Sequence, residues 1–249
     1  MSYPKWGKGF RRGAVVESEL DILFTVSDIE SLSVEDIKKG VEERLWYDEF
    51  QWLQTRPEIH YHSRRLAEGL ENILSICPVC KGRHTITTKK HDVFCEHCGK
   101  LTSLDDRYAF SSGFCFDNLA QWYDWQKGII QEEITGNPEF SLQAEVDLRL
   151  PSDDGNSLTR SAGRGVCTLD RNGLTYAGTR DGEPYEINFS LKRIYRLLFG
   201  AGQNFEVYNG SEILYFVPDD KRTAVDWYLT SMILYDEEQE KQPSSAGAV

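Results

Sequence analysis

The chain has 249 residues, of which 40% are hydrophobic, 12% aromatic and 27% charged, and its formal net charge is −12 at pH 7. This composition is typical of a soluble globular protein with enough apolar material for two modest cores. No run of about 18 apolar residues occurs, so we expect no bilayer-spanning helix. The start, Met1-Ser-Tyr-Pro-Lys-Trp, lacks the apolar core of an export signal.

The acidic charge is concentrated in the second part of the chain. Residues 1–100 carry 15 Lys and Arg against 16 Asp and Glu, whereas residues 101–249 carry 13 against 24. We therefore expect the second part to repel phosphate backbones and anionic bilayers. Two small basic groups interrupt this pattern, although most such groups are solvated faces. They are Lys5, Lys8, Arg11 and Arg12 near the start, and Lys81, Arg83, Lys89, Lys90 and Lys100 further on.

The first 76 residues predict one strand followed by helices. In Val15–Val26, apolar and polar residues first alternate and the segment then becomes apolar. This pattern predicts a strand at the margin of a sheet, with few partners in this chain. Ser33 and Asp36 resemble a capping box that opens a helix reaching about residue 54, before Pro57. A second helical stretch, Arg64–Ile76, would place four apolar residues on one face: Leu66, Leu70, Ile73 and Leu74.

Four cysteines form two C-x-x-C pairs, Cys77-Pro-Val-Cys80 and Cys95-Glu-His-Cys98, separated by 14 residues. This spacing predicts a zinc ribbon over residues 77–100, in which a short hairpin presents the two pairs to each other. We expect all four thiolates to ligate Zn²⁺. Because four thiolates fill a tetrahedral shell and leave no position for water or substrate, we expect the ion to be structural.

Other roles for these cysteines and their neighbours are weaker. A thioredoxin-like redox pair needs a βαβ setting and gains nothing from a second pair at ribbon distance. His84, His91 and His97 lie in or beside the ribbon and could each replace a cysteine as a metal ligand. We expect them instead to be solvated or to form a hydrogen bond to one of the ligating cysteines. Two isolated thiols, Cys115 and Cys167, remain, which together with a zinc ribbon indicates the reducing cytoplasm.

After the ribbon, Asp117 is expected to cap a helix over Asn118–Ile134. Its apolar stripe is more typical of a packing face than of a ligand platform. The stripe consists of Leu119, Trp122, Tyr123, Trp125, Ile129 and Ile130.

From residue 141 the hydrophobic period changes to two and turn signals recur, which predicts an antiparallel meander. The predicted strands are Gln143–Leu150, Gly165–Asp170, Leu174–Gly178, Tyr185–Phe189, Ile194–Leu198, Phe205–Tyr208 and Ile213–Val217. Asp219 and Asp220 then cap a terminal helix from Thr223 to about Glu238, and the composition of residues 239–249 predicts a disordered tail. The fold class expected is therefore α+β: a helical segment, a four-cysteine ribbon and a pleckstrin-homology-like or GRAM-like β domain closed by a C-terminal helix.

No catalytic motif is recognisable in the chain. None of the five histidines is followed by an aspartate five positions later, and the G-x-S-x-G, P-loop and G-x-G-x-x-G motifs are absent. Adjacent acidic pairs such as Asp219/Asp220 are better explained as caps and solvated faces. We predict no catalytic residue in this sequence.

Several segments taken in order resemble the C-terminal part of bacterial 1-acyl-glycerol-3-phosphate acyltransferase-like (lysophospholipid acyltransferase-like) proteins that carry a zinc ribbon. The segments are Tyr3-x-x-Trp6, Leu32-Ser-Val-Glu-Asp36, Tyr47-Asp-Glu-Phe50-x-Trp52, Arg65–Leu74, the ribbon, Phe116-Asp117-Asn118 with Trp122 and Trp125, and Asp181-Gly-Glu-Pro184. The resemblance covers about residue 3 to about residue 235 and is more specific in the order of elements than residue by residue.

This resemblance implies a division of the chain and a setting in phospholipid biosynthesis. Residues 1–32 would be the remnant of the end of an acyltransferase-like domain. The remaining parts would be a helical segment 33–76, the ribbon 77–100, a helical connector 101–140, the β domain 141–238 and the tail 239–249. The family's H-x-x-x-x-D and F-P-E-G motifs are missing, so no catalytic residue is carried over.

Two functions are therefore expected. In the first, the chain is the accessory region of a lipid acyltransferase, in the cytoplasm or at the inner face of the membrane, and contacts a catalytic domain or chain, an acyl carrier or a membrane lipid. In the second, it is a free-standing zinc-ribbon module that contacts nucleic acid or protein. The basic residues of the ribbon slightly favour nucleic acid, but the acidic remainder argues against it.

Overall fold

A computed structural model describes residues 18, 20–152, 158–194 and 196–241. These residues combine helices with two antiparallel sheets, as the expected α+β class requires. The helices are α1 (Val26–Ser31), α2 (Val34–Leu45), α3 (Glu49–Gln54), α4 (Leu119–Gly136) and α5 (Ala224–Lys241). The strands are β1 (Ile86–Lys89), β2 (Asp92–Cys95), β3 (Gly99–Ser103), β4 (Ser141–Pro151), β5 (Thr159–Asp170), β6 (Gly173–Arg180), β7 (Glu183–Phe189), β8 (Leu198–Gly200), β9 (Asn204–Asn209) and β10 (Glu212–Pro218).

The larger sheet has seven strands in the order β7-β6-β5-β4-β10-β9-β8. Two meanders, β4–β7 and β8–β10, are joined where β4 pairs with β10, with Leu148 opposite Phe216. At the β6–β7 turn, Asp181 and Gly182 both have positive φ (50° and 90°), as the two central residues of a type I′ turn require. The predicted pattern of an antiparallel β domain followed by a closing C-terminal helix is therefore confirmed.

Helix α5 lies in the main hydrophobic core and is buried nearly all round from Ala224 to Leu234. Trp227 stacks on Phe205 with ring centroids 4.3 Å apart. A second apolar cluster surrounds the ribbon and includes Trp122 of α4, so the predicted stripe of α4 is a packing face. Trp125 and Phe199 contact both clusters. No helix in the described ranges is both long enough and apolar enough to cross a bilayer.

The predicted elements before the ribbon need correction. In the predicted strand Val15–Val26, residues 15–17 and 19 lie outside the described ranges, and Leu20–Thr25 is not a strand. Val26 instead begins α1, because Thr25 Oγ1 accepts a hydrogen bond from the Asp28 N–H (3.2 Å) and the Asp28 carboxylate accepts one from the Thr25 N–H (2.7 Å). Tyr3 and Trp6, together with Lys5, Lys8, Arg11 and Arg12, also lie outside the described ranges.

The long helix predicted after Ser33 is two helices. Ser33 caps α2 as expected, but a second cap interrupts the run, because Asp48 accepts a hydrogen bond from the Gln51 N–H (2.9 Å) and starts α3. The helix predicted over Arg64–Ile76 is wrong apart from a 3₁₀ turn at Leu70–Asn72. Gly69 is left-handed (φ 101°), and the Ala67 N–H donates to the Lys90 carbonyl instead of to its own turn.

Four later predictions also differ from the structure. Asn118, not Asp117, caps α4. The predicted strand Ile194–Leu198 is wrong, and this region instead has a 3₁₀ turn at Leu191–Arg193 followed by β8. Leu191, Ile194 and Leu197 are buried at a spacing of three, which does not suit a strand. The Leu197 N–H donates to Ser231 Oγ (3.0 Å) and not to a neighbouring strand. Helix α5 continues to Lys241, so residues 239–241 of the predicted tail are helical, and residues 242–249 lie outside the described ranges. Strand β3 extends past residue 100, the predicted end of the ribbon.

Glycines in β5 and β6 allow an unusually close approach of the two backbones, and this can be tested by substitution. A Cβ at Gly165 would lie 2.4 Å from the Ala177 carbonyl oxygen, whereas a Cβ at Gly128, inside α4, would meet nothing within 4 Å. We expect Gly165→Ala to destabilise the protein by about 1–3 kcal/mol through overpacking. Gly128→Ala should stabilise it by about 0.5–1 kcal/mol, since alanine is the better helix former. Urea unfolding of both variants measures this, and equal midpoints would contradict it.

Candidate metal centre

The ribbon is a three-stranded sheet in the order β1-β2-β3, with Ile86 paired to Cys95 and Cys95 paired to Gly99. The first C-x-x-C pair is a tight turn, in which the Lys81 N–H donates to the Cys77 carbonyl (2.9 Å) and the Cys77 N–H donates to the Gly82 carbonyl (3.0 Å). Lys81 and Gly99 follow the two pairs and both have left-handed backbones (φ 61° and 77°). These turns bring the two cysteine pairs to one end of the hairpin.

The four predicted ligands converge. The sulfurs of Cys77, Cys80, Cys95 and Cys98 all lie within 4.8 Å of one another, so the cluster could hold a metal ion. The Sγ–Sγ distance is 4.0 Å between Cys77 and Cys98 and 3.7 Å between Cys80 and Cys95, and none of the four forms a disulfide. Four sulfurs placed tetrahedrally about 2.3 Å from a common centre would be about 3.8 Å apart. The Cys77–Cys98 and Cys80–Cys95 separations are close to this value.

The thiols of the cluster differ in acidity. Burial raises the pKa of Cys95, but the hydrogen bond with the Thr85 hydroxyl and hydrogen bonds from the backbone N–H groups of His97 and Cys98 outweigh burial and lower the pKa to about 6. The hydrogen bond with the Cys80 thiol and, to a smaller extent, burial raise the pKa of Cys98 to about 12. Burial raises the pKa of Cys77. Without a cation, Cys95 therefore ionises more readily than Cys77 or Cys98. A divalent ion would stabilise all four thiolates and release protons as it binds.

The three histidines near the ribbon are not part of the convergent group. His97 places Nδ1 3.9 Å from Cys80 Sγ and lies beside the cluster. His84 faces away from it and pairs with Asp226 of α5, with Nε2 and Oδ2 2.7 Å apart. His91 is partly buried at the turn before β2. Of the remaining cysteines, Cys115 is exposed and Cys167 is buried in the main core.

The segment that leads into the first cysteine pair is held by buried side chains of α4. Gln126 is fully buried, and its amide donates to the Ile73 carbonyl (2.7 Å) and accepts from the Ser75 N–H (2.9 Å). One turn earlier, the Trp122 indole N–H donates to the Ile76 carbonyl (3.0 Å). Residues 73–76 belong to no helix or sheet ladder, so these side chains satisfy backbone groups that would otherwise be buried without partners.

The loop after the first cysteine pair is joined to both long helices. The Arg83 guanidinium pairs with Glu133 of α4, and His84 pairs with Asp226 of α5. The sequence prediction missed Gln126, Glu133 and Asp226 as anchors of the ribbon. The one signal available was a charged residue, Asp226, inside the otherwise apolar and small-polar run from Ala224 to Leu234.

No protein-family model and no curated protein sequence matches this chain. The functional assignment of the cysteine cluster therefore rests on the geometry of the site.

The role of Gln126 as an anchor can be tested against a second glutamine on the same helix. Gln126→Leu would leave the Ser75 N–H and the Ile73 carbonyl buried without partners, so we expect a loss of about 2–4 kcal/mol in the free energy of unfolding. Gln131 is exposed, and Gln131→Leu should change the stability by less than about 0.5 kcal/mol. Denaturant unfolding of the two variants gives the difference, and equal losses would show that the amide contributes nothing specific.

Proposed function

We propose that Cys77, Cys80, Cys95 and Cys98 bind one Zn²⁺ and that the ion has a structural role. The convergence of the four sulfurs within 4.8 Å supports a metal site, and the preference of zinc for thiolates in closed four-coordinate sites supports zinc as the ion. The four ligands fill the shell, so the ion would hold the ribbon together and would not contact a substrate. Iron also accepts four thiolates in a tetrahedral site, and metal analysis distinguishes it from zinc.

We expect about one equivalent of zinc in the purified protein and release of about two or more protons per ion on reconstitution at pH 7.5, because Cys77 and Cys98 keep their protons in the absence of metal. Affinity should fall as the pH is lowered through about 6, where Cys95 also takes up a proton. Elemental analysis and titration in two buffers of different ionisation enthalpy measure these quantities.

Cys98→Ser should lose the metal, and Cys115→Ser, the control, should retain it. A metal-free protein whose native thiols all react with an alkylating agent would refute the assignment.

We propose further that the chain is a non-catalytic accessory region of a 1-acyl-glycerol-3-phosphate acyltransferase-like protein of phospholipid biosynthesis. The resemblance described above supports this function. The segment before the ribbon also supports it, because neither α1 nor α2 buries any side chain fully. Its apolar side chains are instead exposed, among them Leu20, Ile22, Val26, Ile29 and Val34. Such a surface suits a segment that packs on another domain or chain.

The charge of the same segment favours a protein partner over a bilayer. Acidic side chains alternate with the exposed apolar ones, among them Asp21, Asp28, Glu30, Glu35 and Asp36. An anionic membrane and an acidic carrier protein would both be repelled by this surface. We therefore propose that the partner is the catalytic acyltransferase domain, in the cytoplasm and at the inner face of the membrane, and that contact with lipid or acyl carrier is made by that domain.

The pairing of the ribbon's basic residues argues against the alternative function, a free-standing module that binds nucleic acid. Arg83 pairs with Glu133, Lys100 lies 2.9 Å from Asp92, and the Lys81 ammonium lies 4.1 Å from the centroid of the Trp125 ring. These contacts reduce the positive charge available to phosphates. A module that contacts protein remains the second candidate, and it shares the exposed apolar segment as its binding surface.

Binding to a catalytic domain separates the two candidates. We expect the zinc-loaded chain to bind the purified catalytic domain of a bacterial 1-acyl-glycerol-3-phosphate acyltransferase that carries the H-x-x-x-x-D motif, and Ile29→Asp to weaken binding by at least about tenfold by placing a charge in an apolar interface. Leu198, which is 50% exposed on β8, provides the control variant Leu198→Asp, with unchanged binding. Calorimetry measures both. Failure of the unmodified chain to bind would leave the protein-binding module as the better function, and acyl transfer by this chain alone would refute a non-catalytic role.

A further inference from the structure

The segment 20–54, which contains α1, α2 and α3, has few buried contacts, and we call it the arm. No side chain of α1 or α2 is buried, and Leu53 is the one buried residue of α3. Phe50 of α3 also packs against the apolar cluster of the ribbon. A helix of six residues such as α3 is not stable by itself, so its orientation depends on contacts with the rest of the protein.

Arg107, in the turn that follows β3 of the ribbon, makes such a contact at the end of α3. Its Nη1 donates to the carbonyls of Arg56 (3.0 Å), Pro57 (3.0 Å) and Ile59 (2.9 Å), and its Nη2 donates to the Leu53 carbonyl (2.5 Å). The last carbonyls of a helix lack helical N–H partners and attract a cation. One side chain of the ribbon thus bonds to four backbone carbonyls where the arm ends.

The turn around Arg107 is itself fixed by several contacts. The Asp105 carboxylate accepts hydrogen bonds from the N–H groups of Arg107 (2.8 Å) and Ala109 (2.9 Å), and the Asp105 N–H donates to the Ala109 carbonyl (3.0 Å). Tyr108 has a left-handed backbone (φ 59°), which is uncommon for a bulky residue and persists only where the surroundings determine it. The ring centroids of Tyr108 and Tyr61 are 4.9 Å apart. Arg107 is therefore held in place before it bonds to the arm.

We propose that Arg107 is a positioning residue for the interface between the arm and its partner. By fixing α3 on the ribbon, Arg107 would present the arm in one orientation. A segment that is already ordered avoids the entropic cost of ordering on association, so Arg107 would raise the affinity through α3 and not through a contact of its own. The inference rests on the proposed function for the identity of the partner, the catalytic domain.

The geometry requires an arginine and not merely a cation. A guanidinium has five N–H donors in a planar fork, whereas a lysine ammonium has three donors on one nitrogen. Arg107→Lys would keep the charge, but it would leave at least one of the four carbonyls without its bond. This variant therefore separates the anchor from the effect of charge.

Hydrogen exchange of the zinc-loaded full chain tests the anchor without a partner. We expect Arg107→Lys to speed exchange of the α3 amides by at least about tenfold, with unchanged exchange in β1–β3 and unchanged zinc content. Arg65, which is exposed and lies 3.6 Å from Glu68, provides the matched control Arg65→Lys, with no change. Asp105→Ala loosens the turn and gives a second test if Arg107→Lys does not fold. Unchanged exchange of α3, or an equal increase throughout the ribbon, would overturn the proposal.

Calorimetry with the purified catalytic domain tests the positioning role. We expect Arg107→Lys to weaken binding by at least about tenfold, and Arg65→Lys to bind like the unmodified protein. Equal affinity of the unmodified protein and of a folded Arg107→Lys variant would overturn this role, even if exchange of α3 is faster. If the unmodified chain does not bind the domain but exchange of α3 rises in Arg107→Lys, the partner is refuted and the anchoring of the arm by Arg107 is supported.

Discussion

Four sulfur atoms lie within 4.8 Å of one another at one end of a short hairpin, and the arrangement of the chain around this hairpin depends on their convergence. Thiolates at such distances repel one another, and without a cation the pKa of Cys95 is about 6 whereas the pKa values of Cys77 and Cys98 are raised. A divalent ion bound by the four sulfurs would offset this repulsion. The backbone is prepared for this by left-handed residues that follow each cysteine pair, Lys81 and Gly99.

The ribbon is connected to the β domain through directed contacts. Arg83 and His84 directly follow the first turn and reach α4 and α5, while Gln126 and Trp122 of α4 hold the backbone just before that turn. The loop that carries the first cysteine pair is thus held by α4 on its N-terminal side and by both α4 and α5 on its C-terminal side.

Helix α5 explains how a small ribbon and a seven-stranded sheet share one framework. The helix is buried on the sheet side through Trp227 and Phe205, and its polar residues Asp226 and Ser231 are also buried, where they bond to His84 and to the Leu197 N–H. A helix covered on one side only would carry such residues on its solvent face. The second covering layer, formed by α4 and the ribbon loop, makes these buried polar positions possible.

Features that depend on local chemistry could be predicted from the sequence. The two C-x-x-C pairs predict the four-cysteine cluster, the change of period at residue 141 predicts the antiparallel sheet, and Ser33 predicts the start of α2. Six of the seven predicted strands of the larger sheet lie within observed strands, because a period of two and turn residues act over a few neighbouring positions.

Contacts between side chains that are far apart in the sequence could not be predicted and were found only in the folded chain. His84 and Asp226 are 142 positions apart, and Ser75 and Gln126 are 51 apart, so no local pattern pairs them. The same limit explains the helix wrongly predicted over Arg64–Ile76. Its apolar spacing is helical and its core residues are buried, but backbone bonds to the ribbon and to α4 replace the helical ones. Local periodicity reports which side chains become buried, whereas the partners of the backbone depend on the elements that the fold brings alongside.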